Sequence, residues 1–231
     1  MKKILVLGAG RSATTLIDYL ITNSEENNWF VTVGDFSVEL AEESVGNSEK
    51  AKAIFFNVTD DNQRREEIRN SDIVVSMLPA RMHFLVAEDC VNLKKNLVTA
   101  SYVSDELRQL NEKAKQSGVL LLNEIGLDPG IDHMSAMQLI DEIKEKGGEL
   151  TSFKSFCGGL VHPDYDNNPW NYKFTWNPRN VVLAGQGTAQ YIKKGKYKYI
   201  PYTKLFERTE CMNILDVGEL EGYANRDSLS Y

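Results

Sequence analysis

The sequence predicts an α/β protein: a doubly wound parallel sheet followed by a partial α+β domain with a mixed sheet. Short apolar runs alternate with amphipathic helical segments through the first half of the 231-residue chain. A glycine-rich loop follows the first apolar run, and the alternation stops near residue 126. We therefore predict two domains, residues 1–131 and residues 132–231, joined by a hinge at residues 126–134.

The apolar runs and the residues that flank them predict the individual elements. Six strands are expected at residues 3–7, 29–35, 53–56, 73–76, 97–99 and 119–122. Helical spacing predicts five helices, around residues 16–21, 38–45, 61–69, 82–93 and 105–116, the last with Ser104 as its N-cap. Beyond the hinge we expect a helix at residues 135–146 and strands at residues 152–157 and 172–176.

The loop at residues 8–13 has the form G-x-G-x-x-A of the dinucleotide fingerprint. Gly8 permits a tight turn, Gly10 lets the backbone approach a pyrophosphate, and Ala13 lets the following helix pack closely on the strand. Arg11 and Ser12 lie where the helix N-terminus offers free N–H groups to phosphates. The pattern alone also fits a plain turn, but the strand before it and the helix after it favour a dinucleotide-binding Rossmann domain.

Residues at the ends of the next strands complete the predicted cofactor site. Asp35 ends the second strand about 20 residues beyond the loop, where an acid accepts hydrogen bonds from the adenosine ribose. Its carboxylate favours NAD over NADP, although the cation of Arg11 keeps NADP possible. Val58 is expected to contact the adenine, and Ser76 and Leu78 to border the nicotinamide, because ligands bind at the carboxyl ends of parallel strands. The alternative for Asp35 is a solvated strand end.

Composition excludes several classes of partner. The formal net charge of −7 argues against nucleic acid or an anionic membrane, and no apolar run is long enough for a membrane helix. The glycines at positions 8 and 10 break the N-terminal apolar run too early for a signal peptide. The three cysteines lack a C-x-x-C pair and the three histidines lack metal-ligand spacing, so we predict a cytoplasmic protein without a metal site.

Four segments carry a family resemblance across the chain: residues 123–133, 156–160, 168–176 and 222–228. With these segments the chain resembles the saccharopine dehydrogenase family, specifically the NAD(P)-dependent, glutamate-forming saccharopine reductases of lysine metabolism. The resemblance implies hydride transfer from a secondary amine, saccharopine, to the cofactor. Hydrolysis of the resulting imine would release glutamate and 2-aminoadipate 6-semialdehyde. It also implies a homodimer.

The resemblance assigns site residues in both predicted domains. Ser101 and Tyr102 match a serine–tyrosine pair that faces the substrate, and Asp128 matches an aspartate that binds a substrate amine. Cys157 matches a cysteine beside the reacting nitrogen, and Tyr102, Asp128 and Cys157 are the implied catalytic residues. The structural alternatives are a half-buried aromatic for Tyr102, a turn former for Asp128 and a core thiol for Cys157.

The remaining implied substrate contacts lie late in the chain. Thr175 belongs to the segment at residues 168–176, and Asn225 and Arg226 match a pair that holds a substrate carboxylate. A guanidinium suits a carboxylate because it can donate two parallel hydrogen bonds. The alternative for Arg226 is a solvent-facing cation.

Three departures from the family leave other functions open. Residues 161–164, Val-His-Pro-Asp, replace a proline–alanine–proline–glutamate run of fungal relatives, and Ala224 replaces a proline. Family members also continue well beyond the position of Tyr231. The alternatives are a lysine 6-dehydrogenase or carboxynorspermidine-forming relative, or a truncated dinucleotide-binding module without turnover.

Overall fold

The computed structural model describes residues 1–175 and 177–229, which divide between two compact units, Met1–Leu150 and Thr151–Tyr231. The first unit contains a parallel sheet with helices. The second contains two small antiparallel sheets and one α-helix. In the described part of the chain, no helix is long and apolar enough to cross a membrane.

The first unit is built on a six-stranded sheet in which every neighbouring pair is parallel. The order β3-β2-β1-β4-β5-β6 reverses direction between β1 and β4, which places the topological switch point of a doubly wound fold at the ends of these two strands. This confirms the predicted class. The strands are β1 (Lys2–Leu7), β2 (Trp29–Asp35), β3 (Ala51–Phe55), β4 (Ile73–Ser76), β5 (Asn96–Thr99) and β6 (Leu121–Leu122).

Seven α-helices accompany the sheet in the first unit: α1 (Thr14–Thr22), α2 (Val38–Val45), α3 (Asp61–Arg69), α4 (His83–Leu93), α5 (Asp105–Gln109), α6 (Asn111–Ser117) and α7 (Ile131–Glu145). Alternate side chains of β1 enter two different cores, because successive residues of a strand point to opposite faces. Ile4 and Val6 join the core that contains Ile17 of α1. Leu5 and Leu7 join the core that contains residues of α3 and α4.

Helix ends in the first unit follow their local sequence. The Ser104 hydroxyl accepts a hydrogen bond from the Leu107 N–H at 3.3 Å, which confirms the predicted cap of α5. The helix predicted at residues 105–116 is interrupted at Leu110, which lies between α5 and α6. A 3₁₀ turn, Ala80–Met82, precedes α4.

The second unit holds α8 (Pro178–Ala184) and two antiparallel hairpins. One pairs β7 (Ala189–Lys193) with β8 (Lys196–Ile200), and the other pairs β9 (Glu210–Ile214) with β10 (Gly218–Gly222). Lys194 and Gly195 link β7 to β8 with φ of +52° and +69°, the conformation of a two-residue hairpin turn.

Two predicted strands of the second unit do not form. Residues 152–157 and 172–175 have no regular structure, and Trp176 lies outside the described residues. All of residues 151–160 are exposed, and β-propensity alone does not make a strand without a neighbouring strand to pair with. The expected mixed sheet is likewise replaced, among the described residues, by the two separate hairpins.

Candidate active site

The glycine loop after β1 has the geometry that a dinucleotide cradle requires. Gly8 has a φ of +104°, and a Cβ there would lie 2.8 Å from the backbone oxygen of Met77, so only glycine fits. A Cβ at Gly10 would have no heavy atom of the described residues within 4 Å, and Gly10 is exposed. Ala13 is 1% exposed in the core under α1. The loop therefore fits a pyrophosphate bound by backbone N–H groups.

The Asp35 carboxylate at the end of β2 joins the glycine loop to the β2–α2 turn. Its Oδ2 accepts the Ala9 N–H at 2.7 Å, and its Oδ1 accepts the Ser37 N–H at 2.9 Å. Both oxygens thus have a backbone donor, and these dipoles offset part of the negative charge. Arg11 and Ser12 lie exposed in the same loop. Asp35 stands next to the predicted cofactor loop, as the ribose prediction requires.

The carbonyl of Val58, the predicted adenine contact, is hydrogen-bonded by an arginine that belongs to a buried ion pair. Val58 is 7% exposed and belongs to the core. Its carbonyl accepts Nη1 of Arg64, whose Nε donates to Asp89 Oδ2 at 2.7 Å. The side chains of Arg64 and Asp89 are 3% and 1% exposed. A buried pair with several hydrogen bonds restricts the loop after β3.

The predicted nicotinamide-side residues, Ser76 and Leu78, differ in exposure. Leu78 is half-buried and packs against the core. The Ser76 side chain is fully buried, and its Oγ lies 2.9 Å from Nδ1 of His83. In the structure the Ser76 hydroxyl therefore faces His83.

His83 was not singled out from the sequence, and it connects two residues that were. Its Nε2 lies 2.7 Å from Oγ of Ser101, while its Nδ1 faces Ser76. Burial lowers the pKa of His83 to about 4, so the imidazole is neutral at physiological pH. The sequence places His83 at the start of α4, the first α-helix after β4, near the carboxyl edge of the sheet, and this position could have marked it as a candidate.

The segment after β6 runs beside the loop that follows β5 and brings Tyr102 to Asp128. The Tyr102 hydroxyl donates to Asp128 Oδ1 at 2.8 Å, and both side chains are exposed. The Glu124 N–H donates to the Ser101 carbonyl at 3.1 Å, and Glu124 Oε1 accepts the Val103 N–H at 3.0 Å. Ser101, Tyr102 and Asp128 thus lie together in the first unit, beyond the carboxyl end of β5.

The hinge segment forms a closed turn before α7. Gly126 and Gly130 form a β-bridge, and Gly130 has a φ of +152° with no room for a Cβ, which would meet the Gly126 oxygen. Asp132 Oδ1 accepts the Gly130 N–H at 2.9 Å and lies 2.8 Å from His133 Nδ1. The Asp132 carboxylate therefore binds backbone at the start of α7, as expected of an acid in a first helical turn.

The other predicted substrate residues belong to the second unit, and all are exposed. Thr175 lies near the segment of Cys157, because a Cβ on Gly159 would stand 3.7 Å from its Oγ1. Asn225 Oδ1 accepts the Arg226 N–H at 2.7 Å, and the Arg226 carbonyl accepts the N–H of Gln190 in β7 at 3.2 Å. Local hydrogen bonds thus fix the backbone of this pair.

Comparison with known proteins shows the family of the chain. Residues 4–122 match the saccharopine dehydrogenase NADP binding domain, and residues 126–231 match the saccharopine dehydrogenase C-terminal domain. The chain belongs to the saccharopine dehydrogenase family. The resemblance seen in the sequence motifs is therefore confirmed, as is the prediction of a dinucleotide-binding domain of the NAD(P) class.

Individual relatives extend over nearly the whole chain. It is 38% identical to saccharopine dehydrogenase [NADP(+), L-glutamate-forming] of Saccharomyces cerevisiae over 98% of this chain and 50% of the yeast protein. It is also 38% identical to α-aminoadipic semialdehyde synthase of Arabidopsis thaliana, over 99% of this chain and 23% of that protein. The apo structure of the yeast L-glutamate-forming enzyme superposes with a TM-score of 0.88 at 37% identity, covering 99% of this chain and 50% of that one. The chain spans about half the length of the yeast enzyme.

Proposed function

We propose that the chain carries out the saccharopine dehydrogenase reaction with NADP. Saccharopine, NADP⁺ and water give glutamate, 2-aminoadipate 6-semialdehyde, NADPH and a proton. The C–H bond beside the secondary amine breaks as a hydride, and water then adds to the imine and releases glutamate. The observation that carries this proposal is the 38% identity to the yeast L-glutamate-forming enzyme across 98% of the chain.

The glycine loop supports the cofactor part of the proposal. Gly8, Gly10 and Ala13 shape the backbone that would hold the pyrophosphate, with Arg11 and Ser12 beside it. When bound, NADP supplies a hydride acceptor. The Asp35 carboxylate would ordinarily repel a 2′-phosphate, but its two backbone hydrogen bonds reduce that repulsion. The exposed cation of Arg11 adds attraction, and the relatives from Saccharomyces cerevisiae and Pyricularia oryzae are NADP(+)-dependent, L-glutamate-forming saccharopine dehydrogenases. Val58 and Leu78 remain the expected contacts of the adenine and nicotinamide ends, whereas Ser76 is fully buried and its hydroxyl faces His83.

The Tyr102–Asp128 pair supports the substrate part. The Tyr102 hydroxyl occupies Asp128 Oδ1, so a substrate amine would bind the second carboxylate oxygen, Oδ2. A carboxylate there can accept a proton from the amine, which must be neutral before its neighbouring carbon loses hydride. Ser101 would bind a substrate oxygen. Cys157 is proposed to lie beside the reacting nitrogen.

The second unit is proposed to bind the carboxylates of the substrate. Asn225 and Arg226 are held by backbone hydrogen bonds, and the guanidinium suits a carboxylate. Thr175 is proposed as a further polar contact.

We keep the proposed domain boundary at residue 131, close to the start of the C-terminal family match at residue 126, while the compact first unit extends to Leu150. A cytoplasmic homodimer is proposed, and Cys90, Cys157 and Cys211, which form no disulfide among the described residues, fit a reducing compartment.

The test is the formation of NADPH from saccharopine and NADP, followed by near-ultraviolet absorbance, with glutamate measured as the second product. Asp128→Asn keeps the shape of the side chain but removes the carboxylate charge. We expect it to lower turnover by roughly 10²-fold, the scale of a lost acid–base group, and to keep NADP affinity. An equal loss of NADP binding would show that Asp128 is structural.

Two controls separate the alternative functions. Lysine in place of saccharopine tests a lysine 6-dehydrogenase, and NAD in place of NADP tests the cofactor preference. NADP binding measured by calorimetry, without NADPH formation from saccharopine, would contradict the proposed reaction and favour a dinucleotide-binding module. NADPH formation from lysine but not from saccharopine would indicate a lysine 6-dehydrogenase.

A further inference from the structure

A chain of three buried or half-buried side chains crosses the carboxyl edge of the sheet in the first unit. Ser76 Oγ lies 2.9 Å from His83 Nδ1, and His83 Nε2 lies 2.7 Å from Ser101 Oγ. The three residues come from the end of β4, the start of α4 and the loop after β5. We propose that His83 is a positioning residue that holds the Ser101 hydroxyl as a hydrogen-bond donor toward the substrate, an inference that rests on the proposed function.

The proton of Ser76 decides the tautomer of the imidazole. Ser76 is 0% exposed, and within the described part of the chain its hydroxyl has His83 Nδ1 as its one partner. If Nδ1 carried a proton, the Ser76 O–H would be a buried donor with no acceptor, which is costly. The Ser76 O–H therefore donates to Nδ1, which leaves the imidazole proton on Nε2.

The tautomer then decides whether the Ser101 hydroxyl donates or accepts a hydrogen bond. With its proton on Nε2, His83 donates to Ser101 Oγ at 2.7 Å in preference to Thr99 Oγ1, which lies at 3.4 Å, so the Ser101 O–H proton is not used by the imidazole. Ser101 is half-buried, and its own N–H donates to Thr99 Oγ1 at 3.3 Å, which fixes its backbone. Its hydroxyl can then donate to a substrate oxygen. With the opposite tautomer, the Ser101 O–H would donate to His83 Nε2, and the hydroxyl would offer the substrate only its lone pairs.

The imidazole itself stays neutral. His83 is 1% exposed, and burial lowers its pKa to about 4, so it is neutral where the enzyme would work. The side chain that meets the substrate is Ser101, while His83 acts through it. A carboxylate oxygen of an amino-acid substrate is the acceptor that such a hydroxyl suits, because hydrogen bonds to charged groups are the stronger ones.

The first test is a measurement of the tautomer that needs no substrate. Long-range ¹H–¹⁵N correlation spectra of the ¹⁵N-labelled chain resolve the ring nitrogens of its three histidines, and loss of one set in His83→Gln assigns His83. We expect an unprotonated Nδ1 and a protonated Nε2 throughout about pH 5 to 8, the range in which an ordinary histidine titrates. A protonated Nδ1, or a doubly protonated ring, would overturn the proposal. Ser76→Ala removes the donor to Nδ1 and should weaken the preference for this tautomer.

The second test asks whether His83 acts through Ser101. His83→Phe keeps a flat ring without a donor, and we expect it to weaken saccharopine binding about tenfold, the scale of a lost hydrogen bond to a charged group. His83→Gln retains an N–H and should recover part of that loss. In a Ser101→Ala background, His83→Phe should add less than about a twofold further loss. Retained NADP binding shows that each variant is folded.

The outcomes separate this inference from the function on which it rests. Additive losses from His83→Phe and Ser101→Ala would contradict a role of His83 through Ser101. Absence of both saccharopine binding and NADPH formation in the unmodified chain would contradict the proposed function. The positioning role of His83 would then be decided by the tautomer measurement alone.

Discussion

The two compact units hold their side chains in different ways. In the first unit, twelve buried residues form one core and ten form another, on the two faces of the sheet. Among the described residues of the second unit, the buried core consists of Ala189, Ile200 and Leu205. Large apolar side chains such as Trp170 and Leu215 are 83% and 90% exposed there. The first unit is therefore held by packing to a much greater extent.

This difference extends to the candidate site. Ser101 is positioned by His83, which is itself buried in the first unit. Arg226 is positioned by its backbone, through hydrogen bonds to Asn225 and Gln190. Packing fixes a side chain, whereas these bonds fix only the main chain and leave the guanidinium free to choose a rotamer. Paired substitutions, one in each unit, test this comparison.

The largest expected difference comes from removing the same apolar side chain in each unit. Leu5 is 1% exposed and Leu205 is 2% exposed. Leu5→Ala should cost about 4 kcal/mol, because the tightly packed sheet core cannot collapse around the cavity, and Leu205→Ala about 2 kcal/mol. Native-state hydrogen exchange, read separately for amides of each unit, measures both. A cost for Leu205→Ala equal to that for Leu5→Ala would contradict the comparison.

Removal of one carboxylate charge from each unit should give the next largest effect. Asp89→Asn leaves the buried Arg64 guanidinium without its nearest carboxylate and should cost about 3 kcal/mol. Glu210 in the second unit pairs with Lys154 where both side chains are more than half exposed. Glu210→Gln should leave the denaturation midpoint unchanged, because exposed ion pairs add little. Urea unfolding of both variants checks this, and a matching shift in both would be inconsistent with it.

The same contrast explains how far the sequence predicted the structure. Residues 29–35, 38–45, 61–69 and 73–76 form elements with the predicted bounds, because periodicity and capping residues act locally. Residues 152–157 were predicted as a strand and are exposed coil, because pairing depends on a distant partner. In the candidate site, motif resemblance singled out Tyr102 and Asp128, which the structure joins by a hydrogen bond. The contacts of His83 could not be predicted from the sequence, since Ser76 and Ser101 lie 7 and 18 residues away from it.

The free energy of unfolding should depend on pH through the buried His83. Burial lowers the pKa of His83 from 6.5 to about 4, so below pH 6.5 the unfolded chain binds a proton that the folded chain does not. Stability should therefore fall as the pH drops from about 6.5 to 4, by on the order of 3 kcal/mol from this residue. His83→Phe should remove that part of the dependence and keep the rest. Unfolding free energies against pH measure the slopes, and equal slopes in the wild type and His83→Phe would contradict the assignment.

The smallest expected difference concerns two glycines with the same φ. Gly8 in the cofactor loop and Gly218 at the start of β10 both have a φ of +104°. A Cβ at Gly8 would lie 2.8 Å from the Met77 oxygen, whereas at Gly218 it would have no heavy atom of the described residues within 4 Å. Gly218→Ala should thus cost about 1 kcal/mol for the positive φ, and Gly8→Ala about 2 kcal/mol for the same strain plus the clash.

Cofactor binding gives this pair a second readout. The Gly8 clash must displace either the glycine loop or the loop after β4, and both border the predicted dinucleotide site. Gly8→Ala should therefore weaken NADP binding by calorimetry, while Gly218→Ala should leave it unchanged. If both variants lost stability equally and bound NADP equally well, the close approach of Gly8 to Met77 would have no role in shaping the cradle. The second unit would then tolerate a side chain no better than the first.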